Sequence, residues 1–484
     1  MNIEAAWLGA RAAAVLVLAS PASAAAPQAI GLEELSEASQ DCIACHKKET
    51  YALTQQWGES QHYRANVGCY ECHRADPSDP DVWLHFDYLM ATIVSPKDCG
   101  RCHIQETEEF LGSRHSTAGR IDGSLESLLA DVVEGNHGFV TMGFPEGSSA
   151  AAVSGCWQCH GAVVKLLPDH RLDPATWPNA GIGRFNPDGT EGSCSACHAR
   201  HTFSVAQARH PAACGKCHLG PDHPQREVYE SSKHGMVFYA NVDHMNLSSN
   251  KWVVGEDYHA APTCATCHMS ATPRRPVTHD VGVRISWNNR RVLSIRPELA
   301  DEAMNLPGKD LSWQMRRANM KDVCINCHNK IWVENFYVQY DAIVELYNEK
   351  YAQPGLALME LAKPLMNPVS FSNPVDWIWF ELWHHEGRRA RHGASMMGPD
   401  YTHWHGTYEL AKSFYMHLLP ELQHVAETGI AAGGDQAAAG AALRAKIAEI
   451  LAGQDHRWFL GKMDPAEAAR RAQAAAEFEA RSGQ

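Results

Sequence analysis

Cysteine is absent from both ends of this chain, and its distribution limits the kinds of cysteine site that the protein can contain. The 484 residues include sixteen cysteines, and none lies before residue 42 or after residue 327. Every one belongs to the same five-residue motif, so no thiol is left over for a separate disulfide framework or a free nucleophile. The cysteines must therefore be explained together, by one kind of site that recurs along the chain.

Long apolar runs and an excess of basic charge are also lacking. No second long apolar run follows the first 24 residues, which excludes a transmembrane helix from the rest of the chain. Acidic residues outnumber basic ones, 56 to 42, and the formal charge is −14. This balance argues against nucleic acid binding and favours a basic redox partner, although solubility alone explains it equally well.

The first 24 residues have the pattern of an export signal. Arg11 precedes an apolar run, and Ala22-Ser23-Ala24 is a small-residue cleavage site. We therefore expect residues 1–24 to be removed and the mature protein to be periplasmic.

The cysteines form eight copies of Cys-x-x-Cys-His. This spacing is typical of c-type haem attachment, in which two thiols bind the porphyrin and the adjacent histidine is the proximal iron ligand. One copy alone would also fit a zinc knuckle or a redox pair, but eight copies that use every cysteine favour eight covalent haems. The motifs are Cys42/Cys45/His46, Cys69/Cys72/His73, Cys99/Cys102/His103, Cys156/Cys159/His160, Cys194/Cys197/His198, Cys214/Cys217/His218, Cys264/Cys267/His268 and Cys324/Cys327/His328.

The motifs divide the chain into two regions. Residues 25–328 hold all of them, and we expect the porphyrins to fill the interior of this region. Frequent Gly, Pro and Asn predict short helices and long loops around stacked haems, with almost no sheet. Residues 329–484 predict a long-helix region that serves oligomerisation or covers one end of the haem stack. The expected fold is thus mainly α, a multihaem cytochrome c with long C-terminal helices at 331–351, 376–391, 402–428 and 436–451, and with 465–481 either helical or frayed.

Three segments between the motifs share the frame aromatic-x-x-Ser-x-His. They are Trp57-Ser60-His62, Phe110-Ser113-His115 and Tyr229-Ser232-His234. A low-spin haem needs a second axial ligand, so we predict that His62, His115 and His234 are distal ligands. The sequence leaves other candidates unpaired, namely His137, His201, His210, His259, His279, His392 and His405.

Asp222 and His223 form a candidate proton-handling pair just after the sixth motif. A carboxylate and an imidazole beside a haem can accept protons as electrons leave a bound N–H or O–H substrate. The same residues also fit a helix N-cap, with Pro224 in the first turn and Gln225 as a capping-box partner. Local sequence leaves the two interpretations open.

Tyr401, His405 and Tyr408 have the spacing of one helical face. A stripe of this kind is more often an aromatic packing surface than a site.

The chain resembles the octahaem hydroxylamine oxidoreductase family, which includes hydrazine-oxidising relatives. The resemblance covers nearly the whole mature chain. It rests on the eight motifs and on residues 155–161, 177–189, 194–204, 220–235, 261–270 and 388–409. The segment DHPQREVYESSKHG is also similar to the part of pentahaem ammonia-forming nitrite reductases that bears the distal histidine, which favours catalysis over a plain cap.

The resemblance implies roles for particular residues. The haem of the fourth motif would be catalytic, with Asp222 and His223 as its distal acid–base pair and His201 as a rival for that histidine. A tyrosine of a neighbouring subunit, Tyr401 or else Tyr408, would be crosslinked to that haem and would tie together a homotrimer. Tyr258 is the candidate for a further tyrosine in the pocket.

The implied reaction is oxidation of hydroxylamine to nitric oxide or nitrite, with electrons passed through bis-His haems to a soluble or membrane-bound c-type cytochrome. Three alternatives remain: hydrazine oxidation at a similar site, reduction of nitrite or hydroxylamine by the same architecture, and a plain electron conduit. Tyr401 favours oxidation, because reductive members of the family lack the crosslinking tyrosine. A basic pair beside an open haem disfavours a conduit.

Overall fold

The computed structural model describes residues 34–123, 128–129, 132–133, 155–303 and 311–483. Within these ranges the chain is mainly α, as the sequence predicts. The sheet found there is a single antiparallel hairpin, β1 (Trp83–His85) and β2 (Tyr88–Met90), in which Trp83 lies opposite Met90. No helix in the described part is both long and apolar enough to cross a bilayer.

The haem-motif region contains short helices separated by loops. Gly, Pro and Asn interrupt the sequence too often for longer ones, and each Cys-x-x-Cys-His motif itself supplies about one turn. The α-helices are Glu37–Glu49, Tyr51–Gly58, Gln61–Arg64, Cys69–His73, Pro96–Cys99, Ile104–Leu111, Trp157–His160, Val205–Arg209, Pro211–Gly215, Gln225–Ser231, Lys233–Ala240, Cys264–His268, Pro297–Ala303 and Trp313–Cys324.

The C-terminal region consists of long helical runs in which α and π turns alternate. The α-helices are Lys330–Tyr347, Gln353–Ala362, Pro374–Phe380, Gly387–Ser395, Pro399–Thr402, Glu409–Ser413, Leu419–Ala432, Gly434–Ala452 and Pro465–Ser482. The π segments Asn348–Ala352, Glu381–Glu386, His403–Tyr408 and Phe414–Leu418 join successive α-helices into continuous runs. The predicted helices are all present, but the runs are longer than predicted, and residues 465–482 are helical.

The two regions are packed differently. In the C-terminal region a large apolar cluster includes Leu410, Phe414 and Leu418, none of which is exposed to solvent. In the haem-motif region the clusters are smaller, such as the one around Phe238 and Trp252. The centre of that region is instead a continuous cavity of about 2610 Å³. The cavity is lined by the histidines of all eight motifs.

Candidate haem sites and a proton-handling pair

All sixteen cysteines are in described segments, and none is in a disulfide. Each motif places its histidine on the wall of the common cavity. A cavity lined by eight such motifs is the arrangement that eight covalent haems require.

The two thiols of the first motif are in different surroundings. Cys42 and His46 of the same motif line the cavity, whereas Cys45 is exposed and is not part of the cavity wall. All three belong to the helix Glu37–Glu49, whose buried face carries Ile43. Cys45 follows Ile43 by two positions, a rotation of roughly 200° at 3.6 residues per turn, and so lies on the opposite face.

The periodicity of the helix turns the Cys45 thiol toward solvent. Attachment of haem at Cys45 stays a prediction from the motif, and the bond would then lie at the surface. The first haem would occupy an edge of the stack, where an electron-transfer partner can approach it.

Six motif histidines face a second imidazole across the cavity. The ring centroids of these pairs are 6.1 to 6.5 Å apart. A metal–imidazole bond is about 2 Å long and a ring centroid lies roughly 1 Å behind its nitrogen, so two imidazoles sharing one iron have centroids roughly 6 Å apart. The pairs are His46–His85, His73–His201, His103–His62, His198–His279, His218–His115 and His328–His234.

Burial favours the protonation state that iron ligation needs. It lowers the pKa of His115, His198 and His268 to about 4 and that of His218 to about 3. The neutral imidazole is the form that can donate a lone pair to a metal. The residues present therefore fit haem with two axial histidines at these six positions.

The repeated Ser-containing frame produces the same local structure three times. Ser60, Ser113 and Ser232 are all buried, and each hydroxyl donates to the backbone carbonyl of the aromatic residue three positions earlier, at 2.6 to 2.7 Å. Ser60 and Ser232 also accept a hydrogen bond from a backbone N–H three residues later, which caps the next helix. The cap fixes the backbone just before the histidine, so that the imidazole points into the cavity.

His85 is a partner that sequence reasoning missed. It lies at the end of β1, opposite Tyr88, and its ring is 6.2 Å from that of His46. It has no Ser-containing frame, and the sequence predicts almost no sheet, so its position between the second and third motifs was the sole signal.

Cysteines of different motifs touch one another, which places neighbouring haems side by side. Their thiols are close enough for one to shift the pKa of another: Cys194 raises the pKa of Cys99, Cys217 lowers that of Cys159, and Cys264 raises that of Cys214. The sixth motif therefore contacts both the fourth and the seventh. Electrons at the fourth motif would have the sixth as their neighbour.

Asp222 and His223 form an ion pair between the fourth and sixth motifs, with the His223 ring 6.1 Å from that of His218. His223 Nδ1 is 2.5 Å from Asp222 Oδ1, and His223 Nε2 donates to the Cys217 carbonyl at 2.9 Å. His223 is also near enough to Cys159 to influence its thiol. The Cys217 carbonyl can only accept, so Nε2 carries a proton, and the carboxylate beside Nδ1 favours the doubly protonated imidazolium.

The electrostatics agree with that assignment. Burial lowers the pKa of His223, but the hydrogen bond to Asp222 outweighs it, so the pKa is raised. Burial raises the pKa of Asp222, but His223, His384 and Arg388 together lower it to about 2. Arg388 Nη1 lies 3.2 Å from Asp222 Oδ2 and so connects the pair to the C-terminal helices. An anionic carboxylate and a cationic imidazole are thus held at the cavity wall.

The helix-cap interpretation of Asp222 is wrong. The helix Gln225–Ser231 has Pro224 at its N-cap, without a side-chain hydrogen bond to the cap. The Asp222 carboxylate faces His223 and Arg388 instead. Pro224 occupies the N-cap position that the capping-box pattern assigned to Asp222.

The remaining candidate histidines are in different environments. His392 lines the cavity, and burial lowers its pKa well below the usual range, but it is not in any of the six pairs. His259 also lines the cavity. His210 caps a helix by accepting from the Ala212 N–H, and His405 is exposed beside Glu409. His137 lies outside the described residues.

The candidate tyrosines lie away from the cavity wall. Tyr401 is half-buried and Tyr408 is 51% exposed, so both are on the outside of the C-terminal helices. Tyr258 is buried, stacks on Trp252 at 4.4 Å and donates to Thr266 Oγ1 at 2.8 Å. The structure therefore gives Tyr258 a packing role, while Tyr401 packs beside His405 at 5.4 Å, on the outside of the helices.

Two family descriptions match parts of the chain. Residues 187–353 match a multihaem cytochrome family described by seven CxxCH motifs, and residues 4–74 match the family of cytochrome c554 and c-prime.

Among the relatives, a probable nitrite reductase–hydroxylamine oxidoreductase fusion protein of Kuenenia stuttgartiensis is 27% identical over 260 residues. That match covers 47% of this chain and 25% of the relative, so the chain spans about a quarter of its length.

Two solved structures share the fold. A hypothetical multiheme protein is 26% identical with a TM-score of 0.69, covering 83% of this chain and all of the other. The reducing HAO-like protein complex of Kuenenia stuttgartiensis is 18% identical with a TM-score of 0.58, covering 82% and 86%. The motifs, the cavity and these matches together identify the chain as a mainly α multihaem cytochrome c.

Proposed function

We propose that this protein is a multihaem oxidoreductase that oxidises hydroxylamine to nitric oxide or nitrite and passes the electrons to a c-type cytochrome. The observation that carries the proposal is the Asp222–His223 ion pair on the cavity wall beside Cys159 of the fourth motif. An electron conduit has no use for a half-buried proton-handling pair, whereas oxidation of an N–H and O–H compound releases protons with every electron.

Haem at the fourth motif would supply an iron that binds the substrate nitrogen and takes up its electrons. The protein residues supply the proton chemistry. His223 is held by the Cys217 carbonyl on one side and by Asp222 on the other, so its ring cannot turn freely. Asp222 stabilises the imidazolium, and Arg388 keeps Asp222 anionic.

The contacts between motifs support an outward route for electrons. The fourth motif touches the sixth through Cys159 and Cys217, and the sixth touches the seventh through Cys214 and Cys264. Because six of the motif histidines have an imidazole partner, most haems would be six-coordinate and suited to electron transfer alone.

We also infer that the protein is exported and forms a homotrimer, and the half-exposed position of Tyr401 is compatible with contact between this side chain and a neighbouring subunit. In that form Tyr401 would be crosslinked to the catalytic haem, which favours oxidation over reduction. The protein would act in the periplasm.

Reduction of nitrite or hydroxylamine is the second candidate. It is favoured by the names of two relatives, a nitrite reductase–hydroxylamine oxidoreductase fusion protein and a reducing HAO-like complex. The imidazolium of His223 also fits a proton donor, which a reductive reaction needs.

The test compares both directions in the haem-loaded protein. Hydroxylamine with oxidised cytochrome c measures oxidation, and nitrite or hydroxylamine with a reduced viologen dye measures reduction. We expect oxidation to be faster, and we expect Asp222→Asn to lower kcat by about a hundredfold or more. Asp341→Asn is the matched control, because Asp341 also pairs with an arginine, Arg317 at 2.6 Å, but outside this site.

The outcomes separate the candidates. Faster reduction would establish the second function, and hydrazine turnover in place of hydroxylamine would change the substrate. If no assay shows turnover but the protein still exchanges electrons with cytochrome c, the protein is an electron conduit. Equal losses in the two Asp variants would show a general structural effect.

A further inference from the structure

We propose that His384 is a positioning residue that relays protons between the Asp222–His223 pair and the protein surface at His385. This inference rests on the proposed function only in requiring proton-coupled redox chemistry at the pair. It holds for oxidation, in which protons leave, and for reduction, in which they enter.

His384 lies directly behind Asp222. Its Nε2 is 4.0 Å from Asp222 Oδ2, the carboxylate oxygen that does not face His223. The side chain is 6% exposed, and the ring stacks on Phe380 at 4.2 Å and 21°. Asp222 is thus between two imidazoles, with His223 toward the cavity and His384 toward the C-terminal helices.

The backbone around His384 explains how it reaches this position. His384 and His385 belong to the π segment Glu381–Glu386, inside the helical run that continues to Ser395. A π segment widens the helix and commonly occurs at functional sites. The two rings are 5.3 Å apart, and His385 is partly exposed. The chain therefore presents two adjacent imidazoles, one facing Asp222 and the next facing outward.

The ion pair cannot turn over without such an exit. His223 Nε2 donates to the Cys217 carbonyl, and Nδ1 lies against the Asp222 carboxylate, so the pair already holds a proton before substrate arrives. It accepts another from the substrate only after releasing the first. The second carboxylate oxygen of Asp222 accepts from Arg388 and faces His384, which makes His384 the next proton acceptor along this route.

Each transfer moves one proton and no electron. A proton passes from His223 Nδ1 to Asp222 Oδ1. The carboxyl group rotates so that the same O–H faces His384, and His384 Nε2 accepts this proton, which returns Asp222 to the carboxylate. His384 then releases a proton from Nδ1 toward His385, and the electrons leave separately through the haems. The 4.0 Å gap closes by a small rotation of the ring or through one bridging water. Imidazole suits this role because it accepts at one nitrogen and donates from the other.

Charged neighbours of His384 and His385 favour the release of protons from these imidazoles. The groups that face His384 and His385 are Asp222, Arg388 and Arg389. Burial lowers the pKa of His385 to about 4, His384 and the two arginines lower it as well, and only Asp222 acts in the opposite direction. His385 therefore passes protons on without holding them.

The test uses His384→Gln in the full-length, haem-loaded protein. Gln fills a similar volume but cannot accept a proton. We expect at least a tenfold loss of kcat with little change in KM, and a larger solvent deuterium isotope effect. His456→Gln is the matched control, because His456 is 5% exposed and stacks on Phe414 at 5.4 Å, but contacts Tyr415 and not Asp222. It should behave like the wild type.

A second readout does not depend on turnover. The haems are reduced by a light flash in the presence of a pH-indicator dye, and the rate of proton uptake is recorded. We expect His384→Gln to slow uptake at least tenfold, and His385→Gln, at the surface end of the route, to slow it as well. Free imidazole should restore the rate in His384→Ala.

The proposal is overturned if His384→Gln and His456→Gln take up protons at the same rate. It is also overturned if imidazole gives no rescue while His384→Ala keeps its haem spectrum. Loss of wild-type turnover with every nitrogen compound, together with fast uptake that depends on His384, would contradict the proposed function and leave the relay standing. If His384→Gln does not fold, His385→Gln decides the outcome by the same measurement.

Discussion

The haem-motif region and the C-terminal region differ in what lies at their centres. The C-terminal helices bury a cluster of Leu, Phe, Tyr and Trp side chains against one another. The haem-motif region has its smaller clusters at the periphery and a cavity of about 2610 Å³ at its centre. The C-terminal region is thus complete as polypeptide, whereas the haem-motif region would depend on its c-type haems for a core. The Asp222–Arg388 ion pair joins them at the proton-handling site.

The largest expected effect is the loss of haem. A chain produced without covalent haem attachment should lose amide protection throughout the haem-motif region, because its interior would be a cavity open to water. The helices at 330–362 and 409–452 should remain protected. Hydrogen–deuterium exchange with mass spectrometry measures both in one sample. Equal protection in the two regions would contradict the contrast.

A cavity made in the C-terminal core should destabilise that region. Phe414 is completely buried and packs edge to face on Tyr351 at 5.5 Å, so Phe414→Ala should cost about 3–5 kcal/mol. Trp404→Ala, at a side chain that is 56% exposed, should cost less than about 1 kcal/mol. Denaturant unfolding followed by helical circular dichroism gives both values.

Removal of one distal imidazole should change one haem and leave the polypeptide folded. His85→Ala should convert the haem of the first motif from six-coordinate to five-coordinate and add a high-spin signal to the electron paramagnetic resonance spectrum. His405→Ala is the control, because His405 contacts Glu409 at the surface. A high-spin signal in both variants, or in neither, would contradict the assignment of His85.

The smallest effect should be a pH dependence of the C-terminal region. Burial raises the pKa of Glu386 to about 7, although Ser413 donates to it at 2.6 Å and Arg389 is near. The folded state therefore binds this proton more tightly than the unfolded state. Its contribution to stability is complete below about pH 4.5 and is lost as the pH rises through about 7.

Glu386→Gln should remove that dependence. At pH 8 the variant should be more stable than the wild type by on the order of 1 kcal/mol, and near pH 4 the two should be similar. Thermal unfolding at both pH values checks the sign. Glu427→Gln, at an exposed residue of the helix Leu419–Ala432, should change neither value.

Local patterns predicted much of the site. The Ser-containing frame singled out three histidines that the structure places opposite motif histidines, because a serine cap acts on the backbone within a few residues. Local patterns did not identify His85 as a partner of His46, because His85 lies on a hairpin whose register depends on the facing strand. Local sequence could not decide whether Asp222 caps a helix or handles protons, because its partners Arg388 and His384 are more than 160 residues away.

The sequence by itself determined the haem attachment motifs, the mainly α class and the boundary between the two regions. These depend on covalent spacing and on helical periodicity, which are read within a few turns of chain. Tertiary structure alone decided which imidazoles face each other, which motifs touch, which thiol of the first motif faces solvent and which residues stand behind Asp222. These contacts depend on how loops without a periodic sequence pattern pack around the haem cavity. Patterns within a few turns of chain do not predict such long-range packing.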